Sequence, residues 1–180
     1  YMVSSASFSP VGDTVAVAFV DGNTGNSEVW LTTVGGATRL VASTEAERIE
    51  YVDWSPRGEW IAMVTWSPGP DSTKWDYAAR LWLLNPDDGE LTLLASSVMS
   101  PGPALPLAPQ WNAAGTRLAY LEGTRVPGQS ELPMETSVRV WDAESRQVIT
   151  ITGEPHRLRA QLSWASDGSR LIYAEQSEPG

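Results

Sequence analysis

A short hairpin motif recurs four times along the chain and constrains its fold more than any other feature of the sequence. The clearest copy, at residues 54–58, has the sequence Trp-Ser-Pro-Arg-Gly and is followed by the apolar run 61–64. Proline presets φ for a turn position, and glycine accepts the positive φ that other residues resist. The motif therefore predicts two short antiparallel strands joined by a tight turn.

The four copies share an aromatic residue, a glycine four positions later and an apolar run after the glycine. Their aromatic residues stand 46, 57 and 53 residues apart, a spacing typical of propeller blades and of other repeat architectures. We expect the four aromatic side chains to be buried between adjacent blades. We also expect the four glycines to share a positive φ, because only glycine is common to all four turns. The pairs are Phe8 and Gly12, Trp54 and Gly58, Trp111 and Gly115, and Trp164 and Gly168.

Each of the first three repeats continues with a third strand, a tight connection and a fourth strand. The third strands carry tryptophan at the same place, at Trp30, Trp82 and Trp141. The second strands, 15–18 and 61–64, are apolar on both faces, as expected for a sheet that is covered on both sides. In an open sandwich, one face of each strand would be exposed to solvent and polar. The pattern therefore predicts an all-β chain built as a β-propeller of four-stranded antiparallel blades.

The fourth repeat stops soon after its second strand, so the sequence predicts three complete blades and a half blade. We place the repeats at about 1–45, 46–98, 99–154 and 155–180 of a single, partial propeller domain. Open sheet edges expose unpaired backbone and invite pairing. We therefore expect the chain to be part of a longer propeller, completed by the remaining blades of a longer chain or by another subunit.

Composition argues against several classes of function. A net charge of −10, with Lys74 the single lysine among twelve basic residues, disfavours nucleic acid and anionic membranes as partners. The absence of cysteine excludes disulfides, thiolate metal sites and cysteine nucleophiles. The longest apolar run, 15–20, is too short to span a bilayer, so no membrane insertion is expected. Tyr1 in place of an initiator methionine indicates a processed or trimmed N-terminus.

The segments 54–58 and 164–171 resemble the Trp-Ser-Pro-Asp-Gly repeat of TolB-type propellers, and the prolyl oligopeptidase propeller carries similar repeats. The resemblance covers nearly the whole chain, with Phe8 replacing tryptophan in the first copy and Asn-Ala-Ala at 112–114 in the third. Trp141 followed by Asp142 is also similar to WD-repeat proteins, although the usual Gly-His pair of those repeats is absent. The resemblance implies a non-catalytic propeller that binds a protein partner, at an extracytoplasmic site in the periplasm or cell envelope.

The long connections of the predicted blades fall on one face, because alternate connections of an antiparallel blade emerge on opposite sides. Loops carry binding residues more often than strands do, so this face is the expected functional surface. The connection 66–77 sets Trp66, Trp75 and Tyr77 in a frame rich in proline and glycine, which predicts that these aromatic side chains contact the partner. The alternative is that Trp66 and Trp75 cover the second blade as an extended hairpin.

The sequence offers no catalytic, cofactor-binding or metal-binding constellation, and none is assigned. The single histidine, His156, lies in a linker-like segment, and no Gly-x-Ser-x-Gly nucleophile turn is present. The oxygen-rich segment 21–28 lacks the full spacing of an EF-hand, and a tight hairpin explains it. Asp87 and Asp88 lie in a short turn and are interpreted as solubilising turn residues.

Two other functions stay open at this point. The chain could be the substrate-gating propeller of a larger serine peptidase, which a nucleophile-elbow sequence in the full gene would reveal. It could also be a glycan-binding or glycan-cleaving propeller. The acidic composition and the aromatic connection favour a neutral or basic protein surface, or a glycan, over a small metabolite.

Overall fold

The computed structural model of the chain describes residues 1–68, 77–98, 108–125, 134–151 and 159–175, whose regular structure consists of β-strands. No helix in these ranges is long and apolar enough to cross a membrane. The strands are β1 (Met2–Phe8), β2 (Thr14–Val20), β3 (Ser27–Thr33), β4 (Thr38–Thr44), β5 (Arg48–Trp54), β6 (Ile61–Pro68), β7 (Tyr77–Leu84), β8 (Leu91–Ala95), β9 (Gln110–Trp111), β10 (Arg117–Arg125), β11 (Met134–Asp142), β12 (Gln147–Thr150), β13 (Arg159–Trp164) and β14 (Leu171–Glu175).

Successive strands pair antiparallel with their sequence neighbours. Strands β1 to β4, β5 to β8 and β9 to β12 form three four-stranded sheets, and β13 pairs with β14 alone. The described turns within the hairpins favour this meander, since they return the chain beside the strand it has just left. The arrangement confirms the predicted fold class of three complete blades and a half blade. The chain divides into two compact units, Tyr1–Ser96 and Ser97–Gly180, called here the first and second units.

The turn glycines of the four hairpins share the predicted backbone conformation. Their φ angles are +82° at Gly12, +75° at Gly58, +67° at Gly115 and +69° at Gly168. In the last three copies the glycine N–H also donates to the carbonyl of the residue after the aromatic, at 2.8 to 2.9 Å. The expectation that the four glycines share a positive φ is therefore confirmed, and this left-handed conformation is strained for residues with a Cβ.

The core of the first unit lies between its two sheets. Residues 61–64 of β6 are completely buried, as expected for a strand covered on both faces. In β2, by contrast, Ala16 and Ala18 are buried, while Val15 and Val17 on the other face are partly exposed. The buried side chains that meet between the sheets include Ala16, Ala18, Val29 and Leu31 from the first sheet and Ile49, Val52, Trp54, Ile61 and Met63 from the second.

The second unit has a corresponding core between its four-stranded sheet and the β13–β14 hairpin. Leu121 and Val138 are buried there, and the partly buried Leu162, Leu171 and Tyr173 of the hairpin pack against them. Within the four-stranded sheet, Trp111 and Trp141 meet edge to face, with ring centroids 6.1 Å apart and an interplanar angle of 80°. Such pairs stabilise a fold by about 0.5–1.5 kcal/mol beyond the stabilisation that comes from the area they bury.

The sequence predicts that all four repeat aromatics are buried, and the structure confirms burial at Trp54 alone among them. Trp54 is 8% exposed. Trp111 and Trp164 are half-buried, and the Trp164 indole Nε1 donates to the Gln110 carbonyl at 2.9 Å. The prediction is wrong for Phe8, which is 77% exposed. The first sheet packs against Trp54, whereas the second sheet of the first unit packs on the Ala16 and Ala18 face of the first sheet and leaves Phe8 open to solvent.

Candidate partner-binding edge

Strand topology places two described connections of the first unit at one edge of its sheets, the β2–β3 connection at 21–26 and the β4–β5 connection at 45–47. The predicted difference in length is not seen among the described connections, because those at the opposite edge, 9–13, 34–37, 55–60 and 85–90, are of similar length or longer. The β6–β7 connection at 69–76, which the sequence predicts to be long, lies outside the described residues. Successive turns of an antiparallel meander alternate between the two edges of a sheet. We call this edge, with the strand ends that border it, the long-connection edge.

Trp66 lies at this edge, two residues before the end of β6. It is opposite Arg48 of β5 in one direction and Ala79 of β7 in the other. The Arg48 guanidinium carbon lies 6.0 Å from the Trp66 ring centroid, and the indole is half-buried. A cation over an indole face is worth about 0.5–1 kcal/mol at an exposed site. Trp66 is therefore held by a neighbouring strand while part of its surface stays accessible.

Trp66 is the only one of the three predicted contact residues whose side chain falls within the described residues. Tyr77 begins β7 and pairs with Pro68, which places its backbone at the same edge as Trp66. Trp75 lies outside the described residues. The role of these aromatic residues in partner binding therefore stays a prediction.

The β2–β3 connection forms the tight hairpin that the sequence predicts for 21–28. The Asp21 N–H donates to the Asn26 carbonyl at 2.9 Å, and the Gly25 N–H donates to the Asp21 carbonyl at 2.9 Å. The Asn23 N–H donates to Asp21 Oδ1 at 2.8 Å, and this bond holds the pKa of Asp21 below its ordinary value. Gly25 has a φ of +74°. The Asp21 carboxylate thus shapes the turn.

Third-strand arginines pair with carboxylates in both units. Arg80 of β7 pairs with Glu47, and Arg139 of β11 donates to Glu122 Oε2 from Nε at 2.8 Å and from Nη2 at 2.7 Å. Both arginines stand two residues before the third-strand tryptophan. In the first sheet the same position carries Glu28, which accepts the Trp30 indole N–H at 2.9 Å. Partly exposed pairs of this kind contribute about 0–1 kcal/mol, so they orient side chains more than they stabilise the fold.

The polar contacts between the two sheets of the first unit were not predicted from the sequence. The hydroxyls of Ser5 and Ser7 accept the N–H groups of Val52 and Trp54, each at 3.1 Å. Ser7 also donates to Asp53 Oδ1 at 3.1 Å. Burial raises the pKa of Asp53, an effect that hydrogen bonds from Ser7 and Tyr51 oppose. The alternating Ser-Ala-Ser at 5–7 is the sequence signal that marks this side of β1.

Three residues were considered for chemistry from the sequence, namely His156, Asp87 and Asp88. His156 lies outside the described residues. Asp87 and Asp88 are exposed in the β7–β8 turn, where Asp88 Oδ1 accepts the Glu90 N–H at 2.9 Å. This bond supports their interpretation as turn residues. Among the described residues, no group of three or more His, Cys, Asp or Glu side chains is placed to hold a metal ion.

Comparison with known proteins shows likeness in fold. No protein-family model matches the chain, and no curated protein matches it. TolB from Acinetobacter baumannii matches with a TM-score of 0.59 and 11% identity, over 99% of this chain and 39% of that protein. Pyrococcus horikoshii acylaminoacyl peptidase matches with a TM-score of 0.60 and 15% identity, over 95% and 27% of the two chains. An oligogalacturonate lyase in complex with manganese matches with a TM-score of 0.56 and 15% identity, over 96% and 44%.

The antiparallel four-stranded sheets and these matches define the chain as a β-propeller protein. Among propellers, its fold is of the TolB type, as the sequence resemblance predicts. The chain spans 39% of TolB from Acinetobacter baumannii and 58% of a putative TolB from Agrobacterium tumefaciens. At 11% and 14% identity, the likeness concerns the fold alone.

Proposed function

We propose that this chain is a non-catalytic β-propeller scaffold that binds a protein partner through its long-connection edge. Trp66, Trp75 and Tyr77 are the proposed contact residues. The observation that carries the proposal is the position of Trp66, a half-buried indole at the end of β6 with the Arg48 guanidinium 6.0 Å from its ring. Tryptophan and arginine are the residue types most enriched among energetically dominant interface residues.

Preorganisation supports the choice of this edge. Trp66 is paired on both sides within its sheet, so its backbone is already fixed before a partner arrives. Binding at a preorganised side chain avoids part of the entropy cost of ordering an interface. The net charge of −10 favours a partner surface that is neutral or basic.

The proposal of a scaffold in place of an enzyme rests on the sequence. It contains no nucleophile-elbow motif, and its single histidine lies in a linker-like segment. The fold likeness to a peptidase and to a lyase makes peptide hydrolysis and glycan binding or cleavage the two activities against which the proposal is tested. The TolB likeness also supports an extracytoplasmic location, which cell fractionation of the source organism with an antibody to this chain would test.

The test compares tryptophans at the two edges of the same sheet. The partner is first captured by crosslinking to the immobilised chain, and its dissociation constant is then measured by calorimetry with purified components. We expect the Trp66→Ala, Trp75→Ala double variant to weaken binding at least about tenfold, equivalent to about 1.4 kcal/mol. Trp60→Ala is the matched control, because Trp60 is also half-buried but lies at the opposite edge, just before β6.

Three results would contradict the proposal. Equal loss of affinity in the Trp60→Ala control would mean that the long-connection edge is not the contact surface. Collapse of thermal stability in the double variant would show that these tryptophans are packing residues. Hydrolysis of acyl-peptide substrates, or cleavage of a glycan in a screen, would make the chain part of an enzyme.

A further inference from the structure

Arg48 is an exposed arginine at the long-connection edge, where it begins β5. Its guanidinium carbon lies 6.0 Å from the Trp66 ring centroid. Among the residues that the structure describes, no carboxylate or carbonyl pairs with this guanidinium. A guanidinium that lies over an indole keeps the N–H groups along its planar edge free to donate. Arg48 is therefore a cation whose orientation is set by an aromatic ring and whose hydrogen-bonding edge is open.

The other described arginines of the first unit have polar partners. Arg80 pairs with Glu47, and Arg57 pairs with a carboxylate of its own turn at 3.0 Å. Arg39 donates to two carbonyls of the β7–β8 turn. Arg48 is thus the arginine at the long-connection edge whose charge no carboxylate in the described ranges compensates.

The backbone that carries Arg48 is fixed by side chains of the neighbouring sheet. The Ala46 N–H donates to Asn26 Oδ1 at 3.0 Å, and the Ile49 N–H donates to the buried Ser27 hydroxyl at 3.1 Å. Ala46 has a φ of +57°. A residue other than glycine persists in this left-handed conformation where its surroundings hold it there, and such residues cluster at ligand sites. The position of Arg48 is therefore set before a ligand arrives.

We propose that Arg48 and Trp66 together recognise an aspartate or glutamate side chain of the protein partner. The guanidinium edge donates two parallel N–H bonds to the carboxylate, the geometry in which arginine binds this group most strongly. An apolar side chain beside the partner's carboxylate lies on the accessible part of the indole. The inference rests on the proposed function, and it names the chemical group that the long-connection edge recognises.

A single carboxylate side chain matches this site better than other anions do. Phosphate groups and strongly acidic motifs are recognised by clusters of arginines, whereas the charge of Arg80 is already compensated by Glu47. Capture of a C-terminal carboxylate uses backbone N–H groups, and those of Ala46 and Ile49 already donate to side chains. The net charge of −10 repels strongly acidic partners, so the partner carries this carboxylate on a surface that is neutral or basic as a whole.

The experiment titrates the isotope-labelled chain with short peptides in which leucine residues flank one variable position. Acetylated and amidated peptides carry glutamate, glutamine or phosphoserine there, and a further glutamine peptide has a free C-terminal carboxylate. Nuclear magnetic resonance follows the Trp66 indole N–H and the Arg48 Nε–H signals, and their shifts give the dissociation constants.

Two variants of exposed arginines are titrated beside the unaltered chain. Arg48→Gln removes the charge and the guanidinium fork at the proposed site. Arg57→Gln is the matched control, because Arg57 is also exposed but lies in the β5–β6 turn at the opposite edge. Far-UV circular dichroism and thermal melts verify that both variants are folded.

We expect the unaltered chain and Arg57→Gln to bind the glutamate peptide at least about fivefold more tightly than the glutamine peptide, and Arg48→Gln to lose this preference. The inference is overturned if no peptide shifts the two signals, if the glutamine peptide binds as tightly as the glutamate peptide, or if Arg48→Gln keeps the preference. Tighter binding of the phosphoserine peptide, or of the peptide with a free C-terminal carboxylate, would overturn the assignment to an acidic side chain.

Failure of this inference and failure of the proposed function give different results. The affinity of the captured partner for the Trp66→Ala, Trp75→Ala double variant is measured without these peptides. If the double variant weakens partner binding and the unaltered chain shows no preference for glutamate, carboxylate recognition alone is wrong. If the double variant binds the partner as the unaltered chain does, the long-connection edge is not the contact surface and both proposals are wrong.

Discussion

The Ser7 hydroxyl of β1 accepts the Trp54 N–H of β5 at 3.1 Å, a bond that joins two neighbouring sheets. β5 is the first strand of its sheet, so its outward N–H groups have no strand to pair with. A serine side chain on the preceding sheet supplies the acceptor. Apolar packing alone would hold the sheets together without fixing their register, whereas this bond is directional.

Replacing Ser7 by alanine should lower the free energy of unfolding by about 1–3 kcal/mol, because the buried Trp54 N–H loses its acceptor and Asp53 loses a donor. Urea unfolding monitored by tryptophan fluorescence measures this change. Ser43→Ala is the control: Ser43 is exposed on β4, and its replacement should change stability by less than about 0.5 kcal/mol. Equal effects of the two variants would show that the bond between the sheets contributes nothing.

Glycines with the same backbone conformation should differ in their tolerance of alanine. Gly25 and Gly89 have φ angles of +74° and +80°, so the strain of a left-handed alanine applies to both, at about 1 kcal/mol. A Cβ on Gly89 would lie 2.6 Å from the Val41 carbonyl oxygen, whereas a Cβ on Gly25 would meet nothing within 4 Å. Gly89→Ala should therefore cost about 1–3 kcal/mol more than Gly25→Ala in a urea titration. Similar costs would mean that the β7–β8 turn and β4 move apart freely.

The pH dependence of stability should have opposite signs for two aspartates. Burial raises the pKa of Asp53, so the folded state binds this proton more tightly than the unfolded chain does. The contribution of Asp53 is therefore most favourable below its unfolded pKa and declines as pH rises through the folded value. Asp142 has its pKa lowered, chiefly by the Ser145 N–H, and its contribution is lost as pH falls through the folded value.

Stability curves of the unaltered chain, Asp53→Asn and Asp142→Asn between neutral pH and about pH 3 test these signs. On acidification, the stability of the unaltered chain should rise relative to Asp53→Asn and fall relative to Asp142→Asn. Parallel curves for the unaltered chain and Asp53→Asn would show that Asp53 titrates as it does in an unfolded chain.

Trp54 and Trp66 should differ in what their removal costs the fold. Trp54 is 8% exposed in the core, and its truncation to alanine should cost about 3–5 kcal/mol. Trp66 is half-buried at the strand end, and Trp66→Ala should cost clearly less, including about 0.5–1 kcal/mol from the contact with Arg48. Thermal melts and urea titrations of both single variants make the comparison. An equal cost would identify Trp66 as a core residue and remove the support for its role in binding.

The fold of this chain was predictable because its turns are encoded locally. A glycine four positions after an aromatic residue fixes each hairpin, and all four glycines have the expected positive φ. Alternation and tryptophan spacing then set the third and fourth strands, such as β7 after Trp66 and β8 after Asp88. The exposure of Phe8 was not predictable from its repeat position, since the position fixes where a side chain points and not what covers it.

The candidate site was less predictable than the fold. The sequence identifies Trp66 through its proline- and glycine-rich surroundings, but the contact with Arg48 depends on the register of β5 against β6, which no local motif encodes. The hydroxyls of Ser5 and Ser7 were missed for a similar reason. Serine at alternate strand positions is equally typical of a solvent-facing surface. These hydroxyls accept hydrogen bonds only because the edge strand β5 of the neighbouring sheet lies against them.

The polar contacts that join the first two sheets have one consequence for how the chain folds. The bond from the Ile49 N–H to the Ser27 hydroxyl closes a loop of 22 residues. The contacts of Ser5, Ser7 and Arg39 link residues at sequence separations of 46 to 48. The chain entropy lost in closing a loop depends on its length, and these loops have nearly the same length. Once any one of these loops is closed, the others close at little further entropic cost. The two sheets should therefore dock in a single cooperative step, in which these hydrogen bonds form together rather than one after another.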